Sequence, residues 1–409
     1  MFNPGQQGSP FMPKDQGRPF GNPFGNIGFT PPPPPTDISD PRRASQLPRF
    51  LNYVADYGGC GFWRCMWPEY LLNADGRCVV QTSTLMVADP NFYKHIQAIK
   101  FQRQAAPHQR EFIKFIKNLS NEHKFRVIYE IDDLPFREDI PDYNKHKFAF
   151  TSDEIRESLQ EIMETCGNMS VTCKFMKEYF QSKLDPAVKI DVIPNFIPKF
   201  WIGNYYNRQK IEEDYDRNKK RPRICWSGSG AHIDVDNRIK GKDDFYHIND
   251  VVRKTVNDFR WVFFGGISKA LADLVHSGKV EFIPWAPLYN YPEKLYTSNI
   301  NMFIAPLCNN NFNKAKSDLK YIEASALGLP IACQDICTYE DAPIKFNTGD
   351  EMIDKIKETL SDERRFIKES VNGRNVAEGR FLETEKNLYQ YYDNYMYDQG
   401  DPERKYLKP

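Results

Sequence analysis

The chain has 409 residues, 40% of them hydrophobic, which is too long for one ordinary domain and suits two domains with their own cores plus tails. Its 55 basic and 55 acidic side chains cancel, which excludes a global field that would gather nucleic acid or an acidic membrane. The nine cysteines include no Cys-x-x-Cys pair and have no histidine at zinc spacing, so they read as reduced thiols of a cytoplasmic protein; neither a membrane span nor a signal peptide is indicated.

Residues 1–36 hold ten prolines, six glycines and five phenylalanines and end in Pro31 to Pro35, so residues 1–48 are expected to be a disordered tail with a stiff, extended proline spacer. The tail is either without a fixed role or, through Phe11, Phe20, Phe24 and Phe29, a docking segment for a partner protein. Globular composition starts at Arg49. Phe50 to Ala55 reads as a strand, and Tyr57-Gly-Gly-Cys-Gly-Phe-Trp-Arg64 as a glycine-rich turn into a helix around Pro68 to Leu72. Gly59 and Gly61 let backbone come close to a ligand or simply permit tight packing. A strand at Val79 to Thr82 follows, then a helix or strand edge from Tyr93 to Lys100, a helix near Gln109 to Lys117, and a strand from Phe125 to Ile131. Asp132 and Asp133 close that strand, where two carboxylates suit hydroxyl groups or a metal but are equally ordinary turn formers. Ser152 to Thr165 reads as a helix, and Asn168 to Thr172 and Val188 to Ile193 as strands.

Residues 201–222 are polar with little apolar periodicity, which predicts a linker between a first domain at 49–200 and a second at 223–378. The second opens with Ile224-Cys-Trp-Ser-Gly-Ser-Gly230, Ala231 and His232; a strand running into a Gly/Ser loop is a common seat for a pyrophosphate. Asp234-Val-Asp236 matches a three-residue metal-binding pattern, but it falls in a polar loop of the second half, so no metal is expected there. Trp261 to Phe264 before Gly265-Gly266, and Val280 to Ile283 before Trp285, are two more strand-then-loop units, and Tyr291 to Tyr296 begins a helix. Trp285 is either a core aromatic or one that stacks on a base. Ile300 to Leu307 reads as a buried strand, Asn311 to Lys316 as a charged loop, and the next segment as a short helix capped by Ser317 and stopped by Gly328 and Pro330. Leu319, Ile322 and Ala326 share its inner face, while Lys320 and Glu323 share another and can reach one polar ligand. Lys316 sits just before the helix start, where a cation and backbone N–H groups favour an anion. A Tyr-rich helix from Glu383 to Tyr397 lies within the last segment, 379–409.

Ile304-Ala-Pro-Leu307, Phe312-Asn313, Lys316-Ser317, Leu319-Lys320, Glu323 and Ala326-Leu-Gly-Leu-Pro330 together resemble the nucleotide-sugar signature of glycosyltransferase family 4 and its relatives. The resemblance spans residues 49–398 and is most specific around Glu323. It implies a GT-B fold: two Rossmann-like α/β domains with parallel sheets facing a cleft, the 379–409 helix crossing back to the first. It implies a hexosyl- or pentosyltransferase, metal-independent and retaining, that needs no cofactor beyond a nucleoside-diphosphate-sugar donor. In the family, the residue matching Glu323 holds the donor ribose, and basic groups near Lys316 hold the diphosphate. Gly228, Ser229, His232, Trp285, Ser317 and Lys320 would line the donor side. Gly59, Gly61, Arg64, Asp132 and Asp133 would face the acceptor or a phosphate. Many members carry a second glutamate, touching the donor sugar, where this chain has Ala315. That departure keeps a second reading open, a fold that has lost catalysis and serves as a binding or structural module. The overall style also resembles glycosyltransferases of large tailed bacteriophages, acting in the host cytoplasm and in some cases on hydroxymethylated DNA bases. Lys94, Lys100, Arg103, Arg110, Lys114, Lys117, Lys124 and Arg126 would supply a DNA-facing surface, or else a solvated one.

Overall fold

In a computed structural model of the protein, residues 46–150, 152–234 and 243–407 are described. Residues 1–45 of the expected tail, with Phe11, Phe20, Phe24, Phe29 and Pro31 to Pro35, and Asp236 of the Asp-x-Asp pattern, lie outside the described residues.

The first lobe is built on β1 (Arg49–Tyr53), β2 (Val79–Ser83), β3 (Ala98–Gln102), β4 (Arg126–Glu130), β5 (Asn168–Val171) and β6 (Lys189–Val192). These pair in the order β2-β1-β3-β4-β5-β6, every pair parallel. Strands covered by helices on both faces read as apolar runs, and β3 breaks that pattern with Lys100 and Gln102, which is why its sequence reads ambiguously. Both side chains are nonetheless buried, with the Lys100 ammonium 4.2 Å from the Tyr395 ring of the C-terminal helix. That helix, Glu385–Met396, lies against the first sheet: Tyr395 stacks on Phe50 at 4.6 Å and donates to Asn52 Oδ1 at 2.6 Å. The helix Pro107–His123 closes its own start by accepting the Ala105 and Ala106 N–H groups on Gln109, both at 2.8 Å.

The second lobe carries β7 (Arg223–Ser227), β8 (Arg260–Phe264), β9 (Glu281–Ile283), β10 (Met302–Ala305), β11 (Ile331–Gln334) and β12 (Lys345–Phe346). Their order is β12-β11-β10-β7-β8-β9, again all parallel. The strand order reverses between β7 and β10, and ligands of doubly wound sheets settle at the carboxyl ends of strands at such a reversal. The Gly228 loop leaves β7 there, and the chain leading to Lys316 and Glu323 leaves β10.

Two differences from the sequence expectations bear on the site. Asn311–Lys314 is a helical turn, capped by the Asn310 side chain on the Asn313 N–H, where a loop was expected. It drives Phe312 and Ala315 into the first lobe's apolar core, beside residues such as Ile131 and Leu134. The segment expected to be a linker holds a helix, Arg208–Asn218, whose Ile211 and Tyr215, four apart, are buried; Tyr215 stacks on Phe366 of the second lobe at 4.8 Å. The chain crosses between lobes at Ile197 and at Phe381, which pair in a parallel bridge. Arg380 clamps that crossing, donating to Asn195 O at 2.7 Å and to both oxygens of Asp318 at 2.8 and 2.9 Å. None of the nine cysteines is in a disulfide, and no helix among the described residues is long and apolar enough to cross a membrane.

Candidate functional site

Glycines bring the loops after β7 and β8 into contact. Gly265 has φ +86°, and a Cβ there would lie 2.7 Å from Gly228 O and 2.8 Å from Trp285 Cε3. A Cβ on Gly228 would lie 2.6 Å from the Trp226 ring. The Trp285 ring therefore rests on backbone and, at 64% exposed, leaves most of its surface open. Ser229 caps the following turn by accepting the Ala231 N–H at 3.3 Å.

His232, at the end of that turn, is buried and contacts two groups. Its Nδ1 is 2.7 Å from Asp244 Oδ2 and its Nε2 is 3.1 Å from Lys320 Nζ. Burial and the Lys320 charge push the imidazole down to about 4 despite Asp244, so the ring is neutral, donates from Nδ1 and accepts the Lys320 ammonium on Nε2. Lys320 itself is lowered to about 8 by burial and by Lys316, against the pull of Glu323. Glu323 is lifted to about 7 by burial, with Lys320 and Tyr291 opposing. Tyr291 links Glu323 to β7, donating to Glu323 Oε2 at 3.1 Å and lying 2.6 Å from Ser227 Oγ. The space beside Glu323 is about 10 Å³, the lower limit for one water.

Lys316 reaches across to the first lobe, with Nζ 3.1 Å from Asp133 Oδ1 and 4.2 Å from the Phe312 ring centre. Burial opposes the Asp133 charge, but Lys316 and Arg103 outweigh it and hold the carboxyl below its usual value. Asp132 pairs with Arg103 at 3.7 Å. Asp133 and Arg103 edge a cavity of about 60 Å³ between the lobes, with Tyr129, Leu134, Phe312 and Ala231 also on its wall. Ser317 does not cap the helix, which starts after Asp318; its Oγ accepts instead from Asn195 Nδ2 of the first lobe at 2.8 Å.

The structure thus places Gly228, Ser229, His232, Trp285, Lys320 and Glu323 around the reversal between β7 and β10, and Lys316, Ser317, Asp132 and Asp133 at the junction with the first lobe. The Lys316 and Glu323 head groups engage different partners, and Lys320 lies within electrostatic reach of both. Arg64 is corrected: it is wholly buried, bonded to Glu130 at 2.6 Å, Ile193 O at 2.7 Å and Asn195 at 2.9 Å, so it braces the first lobe beneath the cleft and presents nothing to a phosphate. Gly61 is needed by packing, since a Cβ there would lie 2.2 Å from Asp56 O, whereas Gly59 faces open space. Ala315 is fully buried between the lobes, so the position where the sequence resemblance implies a sugar-binding glutamate is given to packing. The basic residues between 94 and 126 form no continuous free face: Lys100 is buried, Arg110 and Lys114 pair with Glu111 and Glu161, and Arg126 pairs with Asp398.

Sequence reasoning missed Asp244, Tyr143 and Tyr291. Asp244 follows Asp243 in a polar run and Tyr143 lies in a Pro-Asp-Tyr-Asn stretch, patterns that read as ordinary turns. Only the fold carries them to the site.

No family model and no curated protein sequence matches the chain. Solved structures do. The sucrose-phosphate synthase of Thermosynechococcus elongatus is 14% identical with a TM-score of 0.57, over 86% of this chain and 98% of that one. Anabaena HepE in complex with UDP is 11% identical with a TM-score of 0.56, over 85% and 98%. The same protein with UDP-glucose gives 10% and 0.55, over 84% and 99%. At these identities the likeness establishes the fold: two six-stranded parallel sheets with surrounding helices, in the GT-B arrangement of these glycosyltransferases.

Proposed function

We propose that the protein is a family 4-like glycosyltransferase that moves a sugar from a nucleoside diphosphate to an acceptor with retention of configuration. The observation that carries this reading is the convergence, at the β7/β10 reversal of a GT-B fold, of two loops packed through glycine, an exposed Trp285 resting on them, the cation Lys320 and the carboxyl of Glu323. The base stacks on Trp285, the ribose hydroxyls meet Glu323, and Lys320 and Lys316 take the diphosphate. In the reaction the bond from the sugar C1 to the phosphate oxygen breaks and its electron pair leaves with the diphosphate. The acceptor oxygen bonds to C1 on the same face, and its proton passes to the departing phosphate. The protein's part is to neutralise the charge that builds on that oxygen, which the Lys320 and Lys316 ammonium groups do. With Ala315 buried, donor-sugar contacts come from the junction side, where Asp133 is available once Lys316 turns to the diphosphate. The narrow space at Glu323, walled by second-lobe residues, means the donor enters with Tyr291 displaced, and closure of the lobes afterwards excludes water.

The test is binding of UDP-, GDP- and ADP-glucose by thermal shift and calorimetry, followed by donor hydrolysis. At least one is expected to raise the melting temperature and be slowly hydrolysed. No shift with any of them would favour the reading in which the fold is a binding module.

A further inference from the structure

Asp244 has no part in the donor contacts above, yet its carboxylate is enclosed and accepts four hydrogen bonds. They come from His232 Nδ1 at 2.7 Å, the Cys308 N–H at 2.8 Å, Asn313 Nδ2 at 2.7 Å and the Tyr143 hydroxyl at 2.8 Å. Three of these donors belong to the second lobe. Tyr143 belongs to the first, where it is buried, and its oxygen also accepts from Asn313 Nδ2 at 3.1 Å. A continuous chain therefore runs from the first lobe through Tyr143, Asp244 and His232 to the Lys320 ammonium.

We propose that Tyr143, Asp244 and His232 form a positioning relay through which docking of the first lobe loosens the hold of His232 on Lys320, freeing that ammonium for the departing diphosphate. The inference rests on the donor reading for its consequence in catalysis. Its physical basis is the sharing of one negative charge. When Tyr143 donates to Asp244, less of the carboxylate's charge is directed at the His232 Nδ1–H, the ring is less polarised, and Nε2 is a weaker acceptor for Lys320. Undocking returns that charge to the imidazole and tightens the grip on Lys320. The charged and titratable groups facing Lys320 are Lys316 and Glu323 from its own segment, His232 and Asp244 from the chain after β7, and Asp133 from the first lobe. None of the others joins the lobes through His232.

The decisive variant is Tyr143→Phe, which keeps the ring and removes the hydroxyl. Asn311→Ala is the control, because it removes a different hydrogen bond between the lobes, Asn311 Nδ2 to Asp139 Oδ1 at 3.3 Å, without touching Asp244. Without any substrate, the NMR titration of the Lys320 side chain should move up by about half a pH unit in Tyr143→Phe and stay in place in Asn311→Ala. With whichever of the three nucleotide sugars gives the largest thermal shift, kcat for donor hydrolysis should fall roughly tenfold while KM stays within about twofold. On a Lys320→Ala background the same substitution should lower kcat no further, since the hydroxyl acts through that lysine. An unmoved Lys320 titration, or losses that multiply in the double variant, overturns the relay. If the titration moves as stated but no nucleotide sugar binds, the donor reading fails and the linkage between lobe docking and Lys320 stands.

Discussion

Glu323 and His232 sit on either side of Lys320 and carry opposite pH signatures. Glu323 is an acid whose value rises from 4.5 to about 7 on folding, so its contribution to stability is present below 4.5 and is lost as pH rises through 7. His232 is a base lowered from 6.5 to about 4, so acidification from 6.5 to about 4 protonates the unfolded chain first and costs stability. The difference in unfolding free energy between Glu323→Gln and the wild type should therefore grow with pH from 4.5 to about 7, reaching the order of 3 kcal/mol in favour of the variant; urea titrations at a series of pH values measure it, and a constant difference would sink the assignment. On the binding side, Lys316→Ala should weaken a nucleoside diphosphate roughly tenfold or more through loss of one charged contact, and Glu323→Ala should weaken the nucleoside-diphosphate sugar similarly. Asp234→Ala should leave both unchanged by calorimetry, since the proposed base, ribose and diphosphate contacts fall on Trp285, Glu323, Lys320 and Lys316 and the Asp234 backbone N–H, which donates to Asp243 at 3.0 Å, is retained. At this scale the residue types at the site were legible: a lysine, a glutamate and a glycine loop carry their chemistry in their names. Their partners were not, because Asp133 lies 183 positions from Lys316, and Tyr143 lies 101 positions from Asp244 and 170 from Asn313.

Elements show where local signals suffice and where they fail. Gly265 is a backbone requirement: at φ +86°, with Gly228 O 2.7 Å from any added Cβ, Gly265→Ala should cost about 1–3 kcal/mol and loosen the floor under Trp285. Quenching of Trp285 fluorescence by UDP would report the loosened floor as weaker binding. Asn311–Lys314 is the opposite case. Its polar letters predict a loop, yet it folds into a turn because Asn310 caps it and Phe312 finds a core belonging to the other lobe. Phe312→Ala should cost about 3–5 kcal/mol in urea unfolding, with part of the loss appearing as separation of the lobes. The helix Arg208–Asn218 was obscured in the same way, since two buried apolar residues four apart among nine polar neighbours give a weak periodic signal. β3 was obscured by Lys100 and Gln102, which are buried because the Lys100 ammonium lies over the Tyr391 and Tyr395 rings of the C-terminal helix and Gln102 Oε1 accepts the Ala55 N–H at 3.1 Å.

Across the whole molecule, the two lobes are joined by the paired crossings at Ile197 and Phe381 and by polar contacts that include Lys316–Asp133, Ser317–Asn195 and Tyr143–Asp244. Arg380 ties the crossing to the start of the Glu323 helix through Asp318, so Arg380→Ala should destabilise by about 1–3 kcal/mol and speed limited proteolysis near residue 197. Unchanged cleavage rates would remove Arg380 from the hinge. The alternation of short apolar strands with helices, the glycine loop after β7 and the Lys-Ser, Lys and Glu pattern after β10 are legible in the amino-acid order, because strand burial, backbone freedom and side-chain charge are properties of neighbouring residues. Folding makes Arg64 a brace and Ala315 a packing residue, and it holds His232 between Asp244 and Lys320. Those outcomes depend on which distant groups share a desolvated space, and the cost of burying an unpaired charge is settled only after the chain has folded.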